Sequence, residues 1–260
     1  MMDALIIAGG IPKPGEPLYE ETQGKPKALL EIAGKPMVQW VLDAVSQASL
    51  VENVAVIGIR NSESLHCEKP LSFLPNQSSL LENVRYGVVN LAEKHPGAEK
   101  ILVISADIPA ISGEMVDWLV EKASEDTRDL YYTIVRRETM EKRFPGANRS
   151  FVHLKNGDFC GGDMNIVRVD TVTQNETFWN ELLLARKNAF KQASLIGFDI
   201  LFMLLIRRLS LEDGVPKICK RLGINGKVIE CPYAEVAMDV DKPNQLAIMR
   251  RDFSQTVSVR

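Results

Sequence analysis

Short apolar runs alternate with amphipathic stretches along most of the chain. Leu5 to Ala8 is an apolar run of the length of one buried strand, and it stops at Gly9-Gly10. After a polar loop, Met37, Val38, Val41, Leu42, Val45 and Ala48 recur on one face of a helix that Pro36 can begin. Asn53 to Ile59 reads as the second strand, and the segment from there to Asn76 as irregular, punctuated by Pro70 and Pro75. Gln77 to Val84 opens another amphipathic helix with a serine available as N-cap. Lys100 to Ser105 is a continuous apolar strand, and Ser112 and Glu114 begin the helix after it. Leu130 to Val135 is rich in strand formers, and the charged stretch Arg136 to Arg149, with Arg136-Arg137, Lys142-Arg143 and Arg149 interleaved with acids, reads as a solvated loop that an anion could approach. Phe151 to Leu154 alternates into Asn156-Gly157, a hairpin signal, and the returning arm reaches a strand at Ile166 to Val169. Residues 176–223 are expected to be mostly helical, with Phe178, Leu182, Leu183 and Ala185 on one face. Leu195 to Leu209 is apolar nearly all round, so this chain or a second copy should bury it. Lys227 to Cys231 and Glu235 to Asp241 supply the last strands, and Pro243 starts the final helix. Such alternation predicts an α/β domain, three-layer α/β/α with a mainly parallel central sheet, plus a small hairpin. We read residues 1–260 as a single domain in which 176–223 form a helical insertion.

The bulk numbers leave that picture intact and remove some functions. Apolar residues at 45% and charged residues at 25% of the 260 are those of an ordinary globular chain. A net charge of −3 argues against nucleic-acid binding. No apolar run approaches the ~20 residues that span a bilayer, and Met1-Met2-Asp3 lacks a secretory lead-in. The expectation is therefore a cytoplasmic protein without a membrane partner. Cys67, Cys160, Cys219 and Cys231 show no paired spacing, and His66, His95 and His153 are scattered, which argues against zinc and for idle thiols.

The chemistry concentrates at strand ends. Gly9-Gly10 lets a phosphate approach backbone amides, and Lys25-Pro26-Lys27 and Gly34-Lys35-Pro36 follow it. Glycines and lysines at the end of a first strand point to an anion site, best suited to a nucleoside triphosphate. Asp107, directly after the Lys100–Ser105 strand in Ala106-Asp107-Ile108-Pro109, points into the crevice where open α/β sheets bind ligands. A hard cation such as Mg²⁺ takes carboxylate oxygens beside substrate phosphate. Asp239 and Asp241, at alternate positions of the expected last strand, would share a face, and Asp241 directly precedes the turn.

With these residues the chain resembles the nucleotidyltransferases of the sugar-phosphate and molybdenum-cofactor type, MobA-like NTP transferases among them. Ala8-Gly9-Gly10, Pro26-Lys27-Ala28-Leu29 and Gly34-Lys35-Pro36 match their opening pattern in order, and Ala106-Asp107-Ile108-Pro109 matches a later signature. The resemblance implies a nucleotide-diphospho-sugar transferase-like fold, with nucleotide at Ala8, Gly9, Gly10, Lys27, Ser79 and Asp107. It also implies acceptor near Asp163 or Asn165, and Mg²⁺ on Asp107 and Asp241. One feature departs: relatives continue the first glycines with Gly-x-Arg, whereas this chain has Ile11-Pro12-Lys13-Pro14-Gly15 and no arginine before Arg60. Lys13 or Lys25 would then supply that charge beside Lys27.

The implied activity is Mg²⁺-dependent transfer of a nucleoside monophosphate from a nucleoside triphosphate to a small phosphorylated acceptor, releasing pyrophosphate. A nucleotide-binding regulatory module of the same fold, no longer catalytic, is the competing reading. A dinucleotide-binding domain fits poorly, because Gly9-Gly10-Ile11-Pro12 does not make a G-x-G-x-x-G that opens a helix.

Overall fold

The structure is a computed structural model that describes residues 1–60, 64–175, 179 and 197–257. Its strands are β1 (Met2–Ile7), β2 (Glu31–Ile32), β3 (Lys35–Pro36), β4 (Val51–Ile57), β5 (Leu71–Leu74), β6 (Lys100–Ser105), β7 (Leu130–Arg136), β8 (Val152–Leu154), β9 (Gly157–Gly161), β10 (Met164–Arg168) and β11 (Gly226–Glu230). The helices are α1 (Tyr19–Thr22), α2 (Met37–Gln47), α3 (Leu80–Lys94), α4 (Gly113–Ser124), α5 (Arg137–Arg143), α6 (Val169–Thr173), α7 (Phe198–Leu205), α8 (Leu211–Leu222) and α9 (Pro243–Val257).

The main sheet runs β5-β4-β1-β6-β10-β7-β9-β8, with β11 on the free edge of β7, and β2 and β3 pair separately. The strands β5, β4, β1 and β6 are mutually parallel, as are β7 and β11, while β10 runs antiparallel between β6 and β7. Strands β9 and β10 are successive parts of one antiparallel arm. It steps at Gly162-Asp163, where its register on β7 shifts and β9 leaves for the β8 hairpin.

Side-chain alternation explains the three layers. In β1, Ala4 and Ile6 face one core with Val54 and Val56 of β4, while Leu5 faces the other with Ala55 and Ile57. The first core is covered by α2, α4 and α9, through residues such as Val41, Leu119 and Met249, and the second by α3, α6 and Trp179. Both faces are therefore buried, so β1 and β6 read as unbroken apolar runs. All four cysteines are unpaired, and among the described residues no helix is long and apolar enough to cross a membrane.

Several expected elements differ. Residues 235–241 do not form a strand. Ala234–Ala237 is a 3-10 turn, and the backbone beyond it serves single hydrogen bonds, Asp163 N to Val236 O and Val240 N to Asp107 O. The apolar alternation there comes from buried Val236, Met238 and Val240 packing beneath the strand ends without a ladder. Leu71–Leu74 is an edge strand on β4, between the prolines that suggested a loop. Within the expected loop after β7, Arg137–Arg143 is helical and carries an Arg137–Glu141 pair one turn apart. In the Leu195 to Leu209 stretch, the helix spans only Phe198–Leu205, and the chain does not bury it all round. Phe202 is 61% and Leu205 80% exposed, while Ile200 and Leu209 are buried. Leu195, like Phe178, Leu182, Leu183 and Ala185 of the expected helical face, lies outside the described residues.

Candidate functional site

The parallel strands wind outward from β1 to β5 and then return to β6 on the other side of β1. The carboxyl ends of β1 and β6 are thus neighbours at the point where the winding reverses, and open sheets leave a crevice there. Gly9-Gly10 leaves β1 and Asp107 leaves β6, so both meet in this crevice. Ala8 N donates to Ile57 O at 2.8 Å, keeping the chain in the sheet one residue longer. Gly9 then lies against Gly58, whose φ of +108° suits a glycine, and a side chain on Gly9 would strike the amides of Asn76 and Asn83. Those amides form a frame. Asn83 Oδ1 accepts from Gln77 N at 2.7 Å and Asn83 Nδ2 donates to Asn76 Oδ1 at 2.9 Å. No heavy atom lies within 4 Å of where a Gly10 side chain would start. The cleft beside it is walled by Lys27, Asn76, Ser79 and Asp107.

The long first loop returns to this point. Lys27 N donates to Gly10 O at 2.8 Å and begins a 3-10 turn through Leu29, which aims its side chain across the cleft. Lys27 Nζ pairs with Asp107 Oδ2 at 2.6 Å and also with Asp241. Burial works to lower the lysine pKa, but the adjacent charges of Asp107 and Asp241 outweigh it and hold the ammonium above its ordinary value. The remaining oxygen of Asp107, Oδ1, is buried without a hydrogen-bond partner among the described residues. Asp241 stands just before α9. Its own N–H and that of Lys242 donate to Gln245 Oε1, while Lys242 Nζ donates to Asn148 O at 3.0 Å. The Asp241 turn is thereby strapped to the loop that carries Arg149.

Arg149, the last cation of the charged stretch that the resemblance sets near an anionic second substrate, comes from that loop into the site. Its guanidinium, 15% exposed, pairs with Asp239 and lies 3.8 Å from Asp163 Oδ2, and its Nε has no hydrogen-bond partner among the described residues. Asp163 sits at the step between β9 and β10, its backbone held by Val236 O and Ser105 N. Its side chain is 33% exposed and lines the cavity adjoining the cleft, with Oδ2 buried and without a hydrogen-bond partner among the described residues. Burial, and then the charge of Asp107, push its carboxyl up to about 7, against the opposing pull of Arg149. Two cations, Lys27 and Arg149, thus face four carboxylates: Asp107, Asp163, Asp239 and Asp241.

The other expected residues fall as follows. Ser79 lines the cleft and is also the N-cap of α3, accepting from Glu82 N at 3.2 Å and donating to Glu82 Oε2 at 2.6 Å. Asn165 has its amide committed, with Oδ1 accepting from Thr133 N and Nδ2 donating to Gly162 O, so it braces the step beside Asp163. Lys13 and Lys25 are exposed and form no ion pair among the described residues. The structure therefore brings together Gly9, Gly10, Lys27, Asp107, Asp163 and Asp241, and leaves Lys13 and Lys25 exposed and outside the lining of the cleft. Asn76 and Asn83 carry no sequence signal of their own, because each lies outside any motif and reaches the site through long-range packing.

Known structures resemble this one over nearly the whole chain. A hypothetical transferase from Thermus thermophilus is 30% identical, with a TM-score of 0.80 over 94% of this chain and 99% of that one. CMP:2-keto-3-deoxy-manno-octonic acid synthetase, solved with CTP, is 15% identical at a TM-score of 0.62, covering 98% and 100% of the two chains. The 2-C-methyl-D-erythritol 4-phosphate cytidylyltransferase from Thermus thermophilus is 14% identical at 0.52, over 96% and 98%. The last two share the fold. Residues 4–194 match the MobA-like NTP transferase domain, and since this match spans most of the chain, the protein belongs to that family.

Proposed function

We propose that this chain is a Mg²⁺-dependent nucleotidyltransferase that moves a nucleoside monophosphate from a nucleoside triphosphate to a phosphorylated acceptor. The observation that carries the reading is Lys27 closing on Asp107 and Asp241 beside Gly9-Gly10, at the reversal point of the sheet. An oxygen of the acceptor phosphate would bond to the α-phosphorus. The bridging P–O bond to the β-phosphate would break, and its electron pair would leave with pyrophosphate. Such transfer depends on positioning and charge neutralisation more than on covalent catalysis.

The donor set suits Mg²⁺. Among the described residues no group of three or more His, Cys, Asp or Glu forms a ready cage. Mg²⁺, however, is typically held by one or two carboxylates together with substrate phosphate. Asp107, with its unpaired buried oxygen, and Asp241 would hold it, where Lys27 now balances their charge. A bound Mg²⁺ supplies Lewis-acid polarisation of the α-phosphate and offsets part of the triphosphate charge. Lys27 would then turn to the triphosphate, and the amides at Gly9 and Gly10 would hold phosphate. Ser79 and the first turn of α3 would face the base or ribose, and Asp163, braced by Asn165, the acceptor. Lys13 and Lys25, exposed outside the lining of the cleft, would close on the distal phosphates in place of the absent arginine. We place this chemistry in the cytoplasm, on one domain with 176–223 as its insertion.

The arginine-free loop favours one other reading, a regulatory module that binds nucleotide without turnover. Incubation with each nucleoside triphosphate, Mg²⁺ and a panel of phosphorylated metabolites, scored by pyrophosphate release, separates the two. Acceptor-dependent release supports the transferase, and tight nucleotide binding without release under any combination supports the module.

A further inference from the structure

The cleft continues past Asp163. Through Ile7, Leu80 and Ser105 it joins a cavity floored by Val103 and Tyr132 and walled by Leu81, Val84 and Trp179. That cavity in turn shares Leu130, Tyr132 and Ile224 with a third, about 510 Å³, between the sheet and helices α7 and α8. Leu201, Leu204, Leu209, Val215, Ile218 and Phe159 line this far end. The alternation of β7 sets the trough's face. Leu130, Tyr132 and Ile134 look into it, while Tyr131, Thr133 and Val135 are buried against the other layer. Tyr132, 41% exposed, stands at the junction.

Charge falls off along this path. The near end carries Lys27 and Asp107, with Asp163 lining the adjoining cavity and Arg149 3.8 Å from it, and the far end is almost wholly hydrocarbon. A hydrocarbon-lined space of several hundred cubic ångströms, with its polar groups gathered at one end, has the character of a ligand site. We propose that the acceptor is an amphipathic phosphate monoester. Its phosphate pairs with the Arg149 guanidinium beside the step at Asp163, and its hydrocarbon body runs past Tyr132 into the cavity beneath α7 and α8. This rests on the proposed nucleotidyl transfer and names its acceptor class. The hydrocarbon body undergoes no chemistry, and the bond changes are those given above.

The test titrates the protein with butyl, hexyl and octyl phosphate below micelle-forming concentrations, in the presence of Mg²⁺, by calorimetry. Each added methylene that enters the cavity tightens binding by about fourfold, from ~0.8 kcal/mol per buried methylene. Val215→Lys, at a half-buried position of α8, flattens that series. Leu204→Gln on α7 is the milder second variant, and melting curves establish that each is folded. Phosphatidylcholine vesicles with and without phosphatidate distinguish the source. Sedimentation that needs phosphatidate and is lost in Val215→Lys marks a lipid acceptor, and tail-dependent binding without it marks a soluble one. Affinity independent of chain length, or a chain-length dependence intact in both folded variants, overturns the inference. Pyrophosphate release with a flat series would leave the transferase reading standing and remove only the amphipathic acceptor. Tail-dependent binding with no release from any nucleotide would do the reverse.

Discussion

Lys27 does two things that a surface lysine cannot. It is fixed by a backbone bond to Gly10, and its charge is held by two carboxylates far apart in the chain, Asp107 and Asp241. Removing one carboxylate should therefore change chemistry before it changes the fold. Asp107→Asn is expected to lower kcat by at least ~10²-fold, the scale for losing one preorganised charge contact, while still melting cooperatively as a folded protein. Asp241→Ala should raise the Mg²⁺ concentration required. Full turnover in Asp107→Asn at saturating Mg²⁺ would take that residue out of the site. Asp163 gives a different signal. Its carboxyl is raised from 3.8 to about 7, so between these values the folded chain holds a proton that the unfolded chain has released. Stability contributed by this group is present at low pH and is lost as pH rises through that window. In metal-free buffer, Asp163→Asn should match the parent's melting temperature near pH 4 and exceed it at pH 8. Equal pH trends in the two proteins would show that Asp163 is not held protonated.

The strands that deliver these residues were legible because burial on both faces writes continuous apolar runs. The strand at Lys100–Ser105 and the hairpin at Asn156-Gly157 stand where the pattern put them. Of the two signals that pointed to Asp241, its place just before the turn into α9 holds and the strand does not. Its segment alternates like a strand, yet it is a 3-10 turn followed by irregular chain whose hydrogen bonds are single and long-range. The charge of Arg149 was legible in its loop, but its pairing with Asp239 and Asp163 was not, and Asn83 carries no local signal because its role comes from packing on distant Gly9. Ser79 belongs to both accounts. As cap of α3 with Glu82 it stabilises the helix by about 1 kcal/mol, so Ser79→Ala should lower the melting temperature by about 2–4 °C. Because it also lines the cleft, the nucleotide KM should rise severalfold. An unchanged KM would confine Ser79 to the cap.

The reversal of strand order between β1 and β6 gathers the first loop, the Asp107 turn and the Asp241 turn into one place. That arrangement belongs to the parallel half of the sheet. On the other half the helices past residue 197 present apolar side chains both inward and outward, and Phe202, Leu205 and Ile206 remain exposed. A surface of this kind is covered in solution, and we expect a homodimer by light scattering that Leu205→Glu disrupts. A monomer at every concentration would contradict this. The activity itself turns on Lys27. The most direct test is acceptor-dependent pyrophosphate release with Mg²⁺, parent against Lys27→Ala, at nucleotide concentrations that saturate both. The account predicts release in the parent and a loss of at least ~10²-fold in Lys27→Ala, compared at a temperature where melting curves show both proteins folded. Equal release by the two proteins would contradict it.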